Sequence, residues 1–583
     1  KRYFTAGNTT RLGRANRFSA FKEKEIVNMS FRRFCEQNGM RIPSAYRQVF
    51  PVLEAGYKSA AKYDKFQPRL DAKLWSQAGE WTKEHFSPVM SGARVLDQES
   101  VLKEMDLSTS CGYPWSLKFS KKTAFLEDAL ASQAVGAYWE QMVLPEREMV
   151  PIWTCSQKRE LRSLEKLETM SHRTFTASPI EFTVASNRIC LDMNNKFYDG
   201  AKRTWSFVGT TKFLMGWDEL FHRLNKHPNA FELDESAYDS SLFCQAMYGQ
   251  RDIRWSMFTP AEQSAENWSR LCEIYDQIVH SVIVMEHGEL VQKHTGNPSG
   301  SGNTIVDNTM ILYRLFAYAW LVLCSEIQRE TSRYDFESNV EAALNGDDNT
   351  YTCSDAVVEW FTPAAIARVW SSIGVITNTP CMKPRSLSEV TFLSNGFRYD
   401  KDLAIYMPCP EAEKVFCSLL YGSSLDDVRW HFLRACALRL DSYGNLECRR
   451  VLSEYITYLN REYASELCGS VQRTDQVLTS MDEIRHVWKS DAWIEALYSG
   501  KESLSEYEVK LIDVAVDART MHDIKSFPIL EDKQSLITLI MPKTAAQRAA
   551  RRRRRQAKKG GRQPIMPQGS KGKRGPIFRN PVP

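Results

Sequence analysis

Asn345-Gly346-Asp347-Asp348-Asn349-Thr350 follows the apolar-leaning run Val340 to Leu344 and precedes Tyr351-Thr352-Cys353. The pattern predicts two short strands joined by a tight turn at Gly346, a residue free to adopt turn conformations that strain other side chains. Alternation along the strands fixes which way each aspartate points. Two adjacent carboxylates in such a turn supply the clustered oxygen ligands that hard divalent cations such as Mg2+ prefer. Gly-Asp-Asp alone turns up by chance in about one chain in ten of this length, and an ordinary polar hairpin would look the same. The surrounding stretches decide between the two.

Working outward, Phe231 to Leu242 reads as a strand that ends at Asp234 and turns into a helix, with Asp239 about one turn later. Asp234 is expected to share metal with Asp347, and Asp239 to reach a neighbouring hydroxyl. Thr295 to Thr304 is a Gly/Ser/Pro-rich loop feeding an apolar helix that runs to Cys324. Thr304 and Asn308 are four apart and share a helix face. Such a loop can track a nucleic-acid backbone, or simply cap a core helix. Downstream, a helix is expected over about Phe361 to Ile373 and strand-like sequence over Val390 to Phe397, with helices from about 408 onward. Ser424-x-x-Asp427 reads as a capping box, and Trp430, Leu433, Ala437 and Leu440 as a core stripe.

On the N-terminal side, residues 1 to about 60 scatter basic residues among aromatics and predict a partly ordered segment with a solvated charged face. Amphipathic helices follow, such as Leu74 to Phe86. Asp106-Leu107-Ser108-Thr109-Ser110-Cys111-Gly112-Tyr113-Pro114-Trp115 predicts an irregular loop, and Lys118, Lys121 and Lys122 after it are candidates for holding a phosphate backbone. Lys158, Arg159, Glu160, Arg162, Glu165, Lys166 and then Arg173 alternate in sign along a stretch read as extended. There the acids brace the bases, and guanidinium groups grip phosphate oxygens bidentately. A solvated charged strand is the plainer alternative.

The chain has 583 residues, 43% hydrophobic and 25% charged, as a globular protein does. The longest apolar run, Leu315 to Cys324, falls short of the roughly 18 to 20 residues of a membrane span and predicts a buried helix. A start at Lys1 rather than Met fits a piece of a longer translation product. The 14 cysteines show no zinc spacing and read as reduced, buried thiols. Residues 541–583 carry fourteen Lys and Arg and no acid, with Arg551 to Arg555 unbroken, so the chain's net charge of +5 belongs to this arm. It is expected to be disordered and to bind nucleic acid loosely.

In this order the stretches resemble the motifs of viral RNA-dependent RNA polymerases of the picornavirus-like supergroup, from Asp106 to Phe397. Asp106 to Pro114 resembles the loop that admits template in picornavirus polymerases. Lys158 to Lys166, Arg173 to Ala177 and Asn194 to Tyr198 look like the potyvirus and astrovirus branches. Asp234-x4-Asp239, Ser299-Gly300-x3-Thr304-x3-Asn308 and Gly346-Asp347-Asp348 resemble the three central motifs, with Asn345 where many relatives have Tyr. Lys383 sits where the family carries a lysine, and Val390 to Phe397 resembles its primer-grip hairpin.

The resemblance implies nucleotidyl transfer assisted by two Mg2+ ions, for which Mn2+ can substitute. Asp234, Asp347 and Asp348 would hold metal. Lys158, Arg162 and Arg173 would hold the triphosphate, and Lys383 would protonate the leaving pyrophosphate. Asp239, Ser299 and Asn308, with Thr304 beside them, would read the ribose 2′-hydroxyl, and Ser110, Gly112, Pro114 and Gly300 would contact RNA.

The implied fold is α+β, a closed right hand whose antiparallel palm sheet is covered by helices. Fingers come from 1–225 and 245–295, palm from 226–244 and 296–400, a helical thumb from 401–540, and a basic tail from 541–583. The implied partners are RNA template and primer, ribonucleoside triphosphates, other viral replication proteins and a genome-linked protein primer. The implied setting is the host cytoplasm at membrane-associated replication complexes. Rival readings are a reverse transcriptase, a silent RNA-binding scaffold and a two-metal nuclease.

Overall fold

A helix whose stretch from Leu315 to Cys324 is apolar on every face has nowhere to go but the interior. Thr304–Glu326 forms that helix in the computed structural model, which describes residues 3–4, 6–17, 25–378, 383–423, 426–468 and 486–517. These lie in a unit formed by Lys1–Leu504 and Glu508–Phe527; of a second unit, only residues 505–507 are described. The basic arm and Ser424 fall outside the described residues. Among those residues, this helix alone is long and apolar enough to cross a membrane, and 89% of its most apolar window is buried, so it serves as core.

The helix covers a four-stranded antiparallel sheet in the order Ile376–Asn378, Asn229–Ser236, Asp348–Cys353, Val340–Asn345. Tyr351 joins the two layers, stacked on Phe231 at 5.2 Å and edge-on to Phe316 at 5.4 Å. On its other side lies the helix Ala72–Met90. Arg314 is buried between them, its guanidinium 4.1 Å over the Trp75 ring and donating to the Trp75 carbonyl at 2.8 Å. A Cβ on Gly79 would stand 2.7 Å from that guanidinium, and one on Gly249 would collide with it as well. Two helical glycines, each costing about 1 kcal/mol against alanine, therefore make room for one buried cation.

A second, five-stranded sheet gathers distant parts of the chain: Thr9–Arg14, Glu289–Lys293, Val282–Val284, Ile152–Gln157 and Thr174–Ala177, in that order. The predicted strand through Asp234 thus runs two residues further, to Ser236. The sign-alternating stretch is not one extended strip: Leu161–Ser163 is a strand and Leu164–Glu168 a helix.

Val390 to Phe397 contains the expected hairpin turn, shorter than the strand-like sequence suggests. A two-residue turn at Leu393–Ser394 closes Phe392 onto Asn395, and the longer hairpin lies beyond it, pairing Asn395–Asp400 with Ile405–Pro410.

Helices Ala412–Tyr421, Val428–Asp441 and Leu446–Glu462 follow, with Trp430, Leu433, Ala437 and Leu440 fully buried. Asp427 itself caps the second, accepting from the Arg429 and Trp430 amides at 2.8 and 3.3 Å. Against this bundle packs the N-terminal helix Met29–Gln37, which is more ordered and more buried than its composition suggests. The described cysteines are free thiols, most of them buried.

Candidate active site

Register in the four-stranded sheet brings the aspartates together. Asp348 pairs with Asn345, leaving Gly346 and Asp347 as the turn, and Asn349 pairs with Leu233, which sets Asp234 beside that turn. Gly346 has φ +69° and its N–H donates to the Thr309 hydroxyl at 2.9 Å, so the turn is fixed to the start of the long helix. Asp234 accepts from the Asn378 amide at 3.1 Å. Burial and the Asp347 charge push the half-buried Asp348 carboxyl up to about 7, against a hydrogen bond from the Leu393 amide that lowers it. Behind them Glu235 is buried, 3.1 and 3.2 Å from the Asn349 amide nitrogen, and burial pushes it well above the usual carboxylate range.

Asp239 follows a bend at Ala237, whose φ of +54° is left-handed. Its carboxylate accepts from Asn308 Nδ2 at 2.5 Å. Burial and the Asp347 charge raise its pKa to about 6, while Asn308, Lys158 and Arg173 pull it down.

These groups line a cavity of about 870 Å³ whose opposite wall carries Lys158, Arg162, Lys166 and Arg173. Glu160 sits 3.6 Å from both Arg162 and Arg173, so the predicted bracing of base by acid is present. The Lys158 amide donates to the Arg173 carbonyl at 2.8 Å, and Arg162 donates to the Ser171 carbonyl at 3.0 Å. A concave site with carboxylates on one side and three or more cations on the other suits a metal-bound polyphosphate.

The donors fit Mg2+ in kind, being oxygens only. Among the described residues no three carboxylate, imidazole or thiolate groups converge into a ready-made cage. Mg2+ is ordinarily held by one or two carboxylates together with substrate phosphates. Like charge crowded around Asp347 is what a cation would relieve.

Several predicted residues sit elsewhere. Ser299 lines the cavity and donates to the Thr174 carbonyl at 3.3 Å. Asn308 is buried and reaches the cavity only through Asp239. Thr304 does not line it; its hydroxyl donates to the Pro298 carbonyl at 2.7 Å and holds its own loop. Gly112 and Gly300 are close-approach points: a Cβ on Gly112 would stand 2.7 Å from Pro179 Cα, and one on Gly300 would strike the Thr176 carbonyl. Ser110 and Pro114 are exposed on the loop outside the cavity. Lys122 bonds Thr109 within that loop and Lys118 pairs with Asp128 at 3.0 Å, so both already have protein partners. Lys383 is exposed beside 379–382, which lie outside the described residues, and does not line the cavity.

The cavity also holds residues that pattern reading passed over: Lys62, Asn378 and Arg385, the last paired with Glu232 at 2.9 Å. None of the three lies in a periodic or glycine-marked stretch, so no local signal points to them.

Comparison with known proteins matches residues 38–441 to the family described as "Viral RNA-dependent RNA polymerase". The chain is 26% identical over 417 residues to genome polyprotein 1 of Barley yellow mosaic virus (isolate Germany), covering 69% of this chain and 16% of that protein. It is 25% identical over 462 residues to the genome polyprotein of Ryegrass mosaic virus (isolate Denmark/Danish), covering 78% and 14%. To the genome polyprotein of Beet mosaic virus it is 28% identical over 393 residues, covering 63% and 11%. The chain therefore spans no more than about a sixth of the length of these relatives. It belongs to the viral RNA-dependent RNA polymerase family.

Proposed function

We propose that this member of the viral RNA-dependent RNA polymerase family elongates RNA on an RNA template, as the replicase portion of a positive-strand virus polyprotein. The observation that carries the reading is one cavity lined by Asp234, Asp239, Asp347 and Asp348 together with Lys158, Arg162 and Arg173. In the reaction a primer 3′-oxygen bonds to the α-phosphorus of a ribonucleoside triphosphate, the bond from that phosphorus to the bridging oxygen of the β-phosphate breaks, and the hydroxyl proton passes to solvent water. Divalent ions, two Mg2+ or Mn2+ in its place, supply charge stabilisation at the attacking and leaving oxygens when bound.

The chain's own groups do the rest. Asp234 and Asp347 hold the cations, and Asp348, already bonded to the Leu393 amide, contributes less. Lys158, Arg162 and Arg173 orient the β- and γ-phosphates and neutralise the charge of the departing pyrophosphate. Lys383, carried on a segment next to the cavity wall residue Arg385, delivers the proton to that leaving group. Asp239, with Asn308 behind it and Ser299 opposite, receives the ribose 2′-hydroxyl.

In right-hand terms, the five-stranded sheet shared by 9–14, 152–177 and 282–293 supports fingers from 1–225 and 245–295. The four-stranded sheet supports a palm from 226–244 and 296–400, and the helices after Ala412 support a thumb from 401–540. The partners are primer, template, ribonucleotides, further viral replication proteins and a genome-linked protein primer, met in the host cytoplasm at membrane-associated replication complexes.

A two-metal nuclease would use the same carboxylates and shorten RNA. Incubation with a labelled primer, an RNA template and all four ribonucleotides separates the two: chain growth with stoichiometric pyrophosphate release supports the polymerase, and shortening of the label without pyrophosphate overturns it.

A further inference from the structure

We infer that Asn297 is a positioning residue for sugar selection, holding Asp239 through Asn308. The inference rests on the reading that Asp239 receives the ribose 2′-hydroxyl, and it extends the sugar-reading set to a residue that does not itself line the cavity.

Asn297 is fully buried. Three of its polar groups meet the Asp239–Asn308 pair or its surroundings. Its backbone N–H donates to the Asp239 carbonyl at 2.8 Å, and its own carbonyl accepts from the Tyr63 hydroxyl at 3.2 Å. Its side-chain Nδ2 donates to Asn308 Oδ1 at 3.0 Å. That last bond settles which way the Asn308 amide faces. A carboxylate accepts only, so Asn308 Nδ2 points to Asp239; Asn308 Oδ1 must then be met by a donor, and Asn297 is that donor. The Tyr238 hydroxyl adds a bond to the Asn308 backbone carbonyl at 3.0 Å.

The far end of the Asn297 amide is not used. Its Oδ1 is buried without a hydrogen-bond partner. An unpaired buried amide oxygen carries a desolvation penalty that an apolar residue would avoid. The donor to Asn308 is what the asparagine contributes. The loop holding it is anchored at its start: the buried Lys293 Nζ lies 2.5, 3.1, 3.0 and 2.9 Å from the carbonyl oxygens of Ile278, Val279, Thr295 and Gly296, so its N–H groups are shared among four acceptors. Gly296, at φ +80°, lies so close under the Tyr63 ring that a Cβ would stand 2.5 Å from it. Asn297 is thus presented to Asn308 in one position.

The test compares CTP, 2′-deoxy-CTP and 3′-deoxy-CTP incorporation by the full chain and by Asn297→Ala, Asn297→Asp, Asn308→Ala, Asp239→Ala and Asn297→Ala/Asn308→Ala. Asn297→Asp keeps the volume and replaces the donor by an acceptor. The expected result is a fall of about fivefold or more in the kcat/KM ratio of CTP to 2′-deoxy-CTP in both Asn297 variants, the scale of one lost buried hydrogen bond. The ratio of CTP to 3′-deoxy-CTP, which keeps the 2′-hydroxyl, should not move, and the double variant should lose no more selectivity than Asn308→Ala. If all three nucleotides slow together at a constant ratio while Asp239→Ala loses selectivity, the inference fails and the polymerase reading stands. If Asp239→Ala leaves the ratio untouched, the assignment of Asp239 to the sugar fails and takes the inference with it. Loss of folding in both Asn297 variants would assign the residue to stability alone and overturn the proposal.

Discussion

At the scale of single residues, the carboxylates of the candidate site are positioned by backbone conformations that their sequence only partly announces. Gly346 at φ +69° is the glycine a tight turn asks for, and it made the Asp347 turn readable from five residues. Ala237, between Asp234 and Asp239, adopts φ +54° with a Cβ in place. A left-handed L-residue is strained by roughly 1–2 kcal/mol, partly offset in glycine by its larger unfolded-state entropy. Ala237→Gly is therefore expected to stabilise the protein by ~0.5–1 kcal/mol in a urea titration; an unchanged or lower midpoint would contradict the strain. Asn297, Asn378 and Lys62 stayed invisible for a different reason. Asn378 meets Asp234 only once their strands have paired, Lys62 comes to the cavity from a distant part of the chain, and Asn297 reaches Asn308 through a fold of its own loop that no periodicity marks.

At the scale of elements, three helices meet on one carboxylate. Glu337 accepts from His85 Nδ1, from the Tyr313 hydroxyl and from Arg333, each at 2.7 Å. Burial lowers the His85 pKa, and its Nε2 accepts from the Trp205 amide at 3.1 Å. Burial alone would raise Glu337, yet these donors hold it down at about 2. A depressed carboxylate adds stability above its unfolded pKa, near 4.3, and that stability is lost as pH falls through the folded value. Urea midpoints should thus drop between about pH 4.5 and 2 by an amount worth roughly 2–3 kcal/mol. Glu337→Gln should be weaker at pH 7 and flatter over that window; an equally steep fall would show that other carboxylates govern it. The helices themselves were legible because periodicity is local. The hairpin expected over Val390 to Phe397 does turn within that span, at Leu393–Ser394, but both turn residues take positive φ without glycine, asparagine or proline to mark the exact position.

At the scale of the whole molecule, the helix Met29–Gln37 near the start of the chain is held to the helix Leu446–Glu462 more than 400 residues later. Asn28 caps the helix Met29–Gln37, and the buried Tyr455 hydroxyl bonds both Ser30, at 2.6 Å, and Asn28, at 3.2 Å. Phe31 packs edge-on to Tyr455 at 4.9 Å and against Phe416 at 6.2 Å. The sequence of the first sixty residues, mixed and basic, carries no sign of this long-range closure. Tyr455→Phe keeps the ring and removes the hydroxyl, so a loss of about 1–2 kcal/mol in global stability is expected, with the Asn28 and Ser30 groups left short of a partner. No change in the unfolding midpoint would mean that the rings alone hold the two helices.

The central claim is that Asp347 and its neighbours form the centre of a metal-dependent RNA polymerase. Its most direct test is incorporation of labelled UTP on an oligo(U)-primed poly(A) template with Mg2+, comparing the intact chain with Asp347→Ala. The account predicts extension by the intact chain and a loss of at least ~10³-fold in the variant, the cost of removing preorganised charge at a transition state. Equal extension by both proteins, or none by a folded intact chain that binds the primed template, would contradict it.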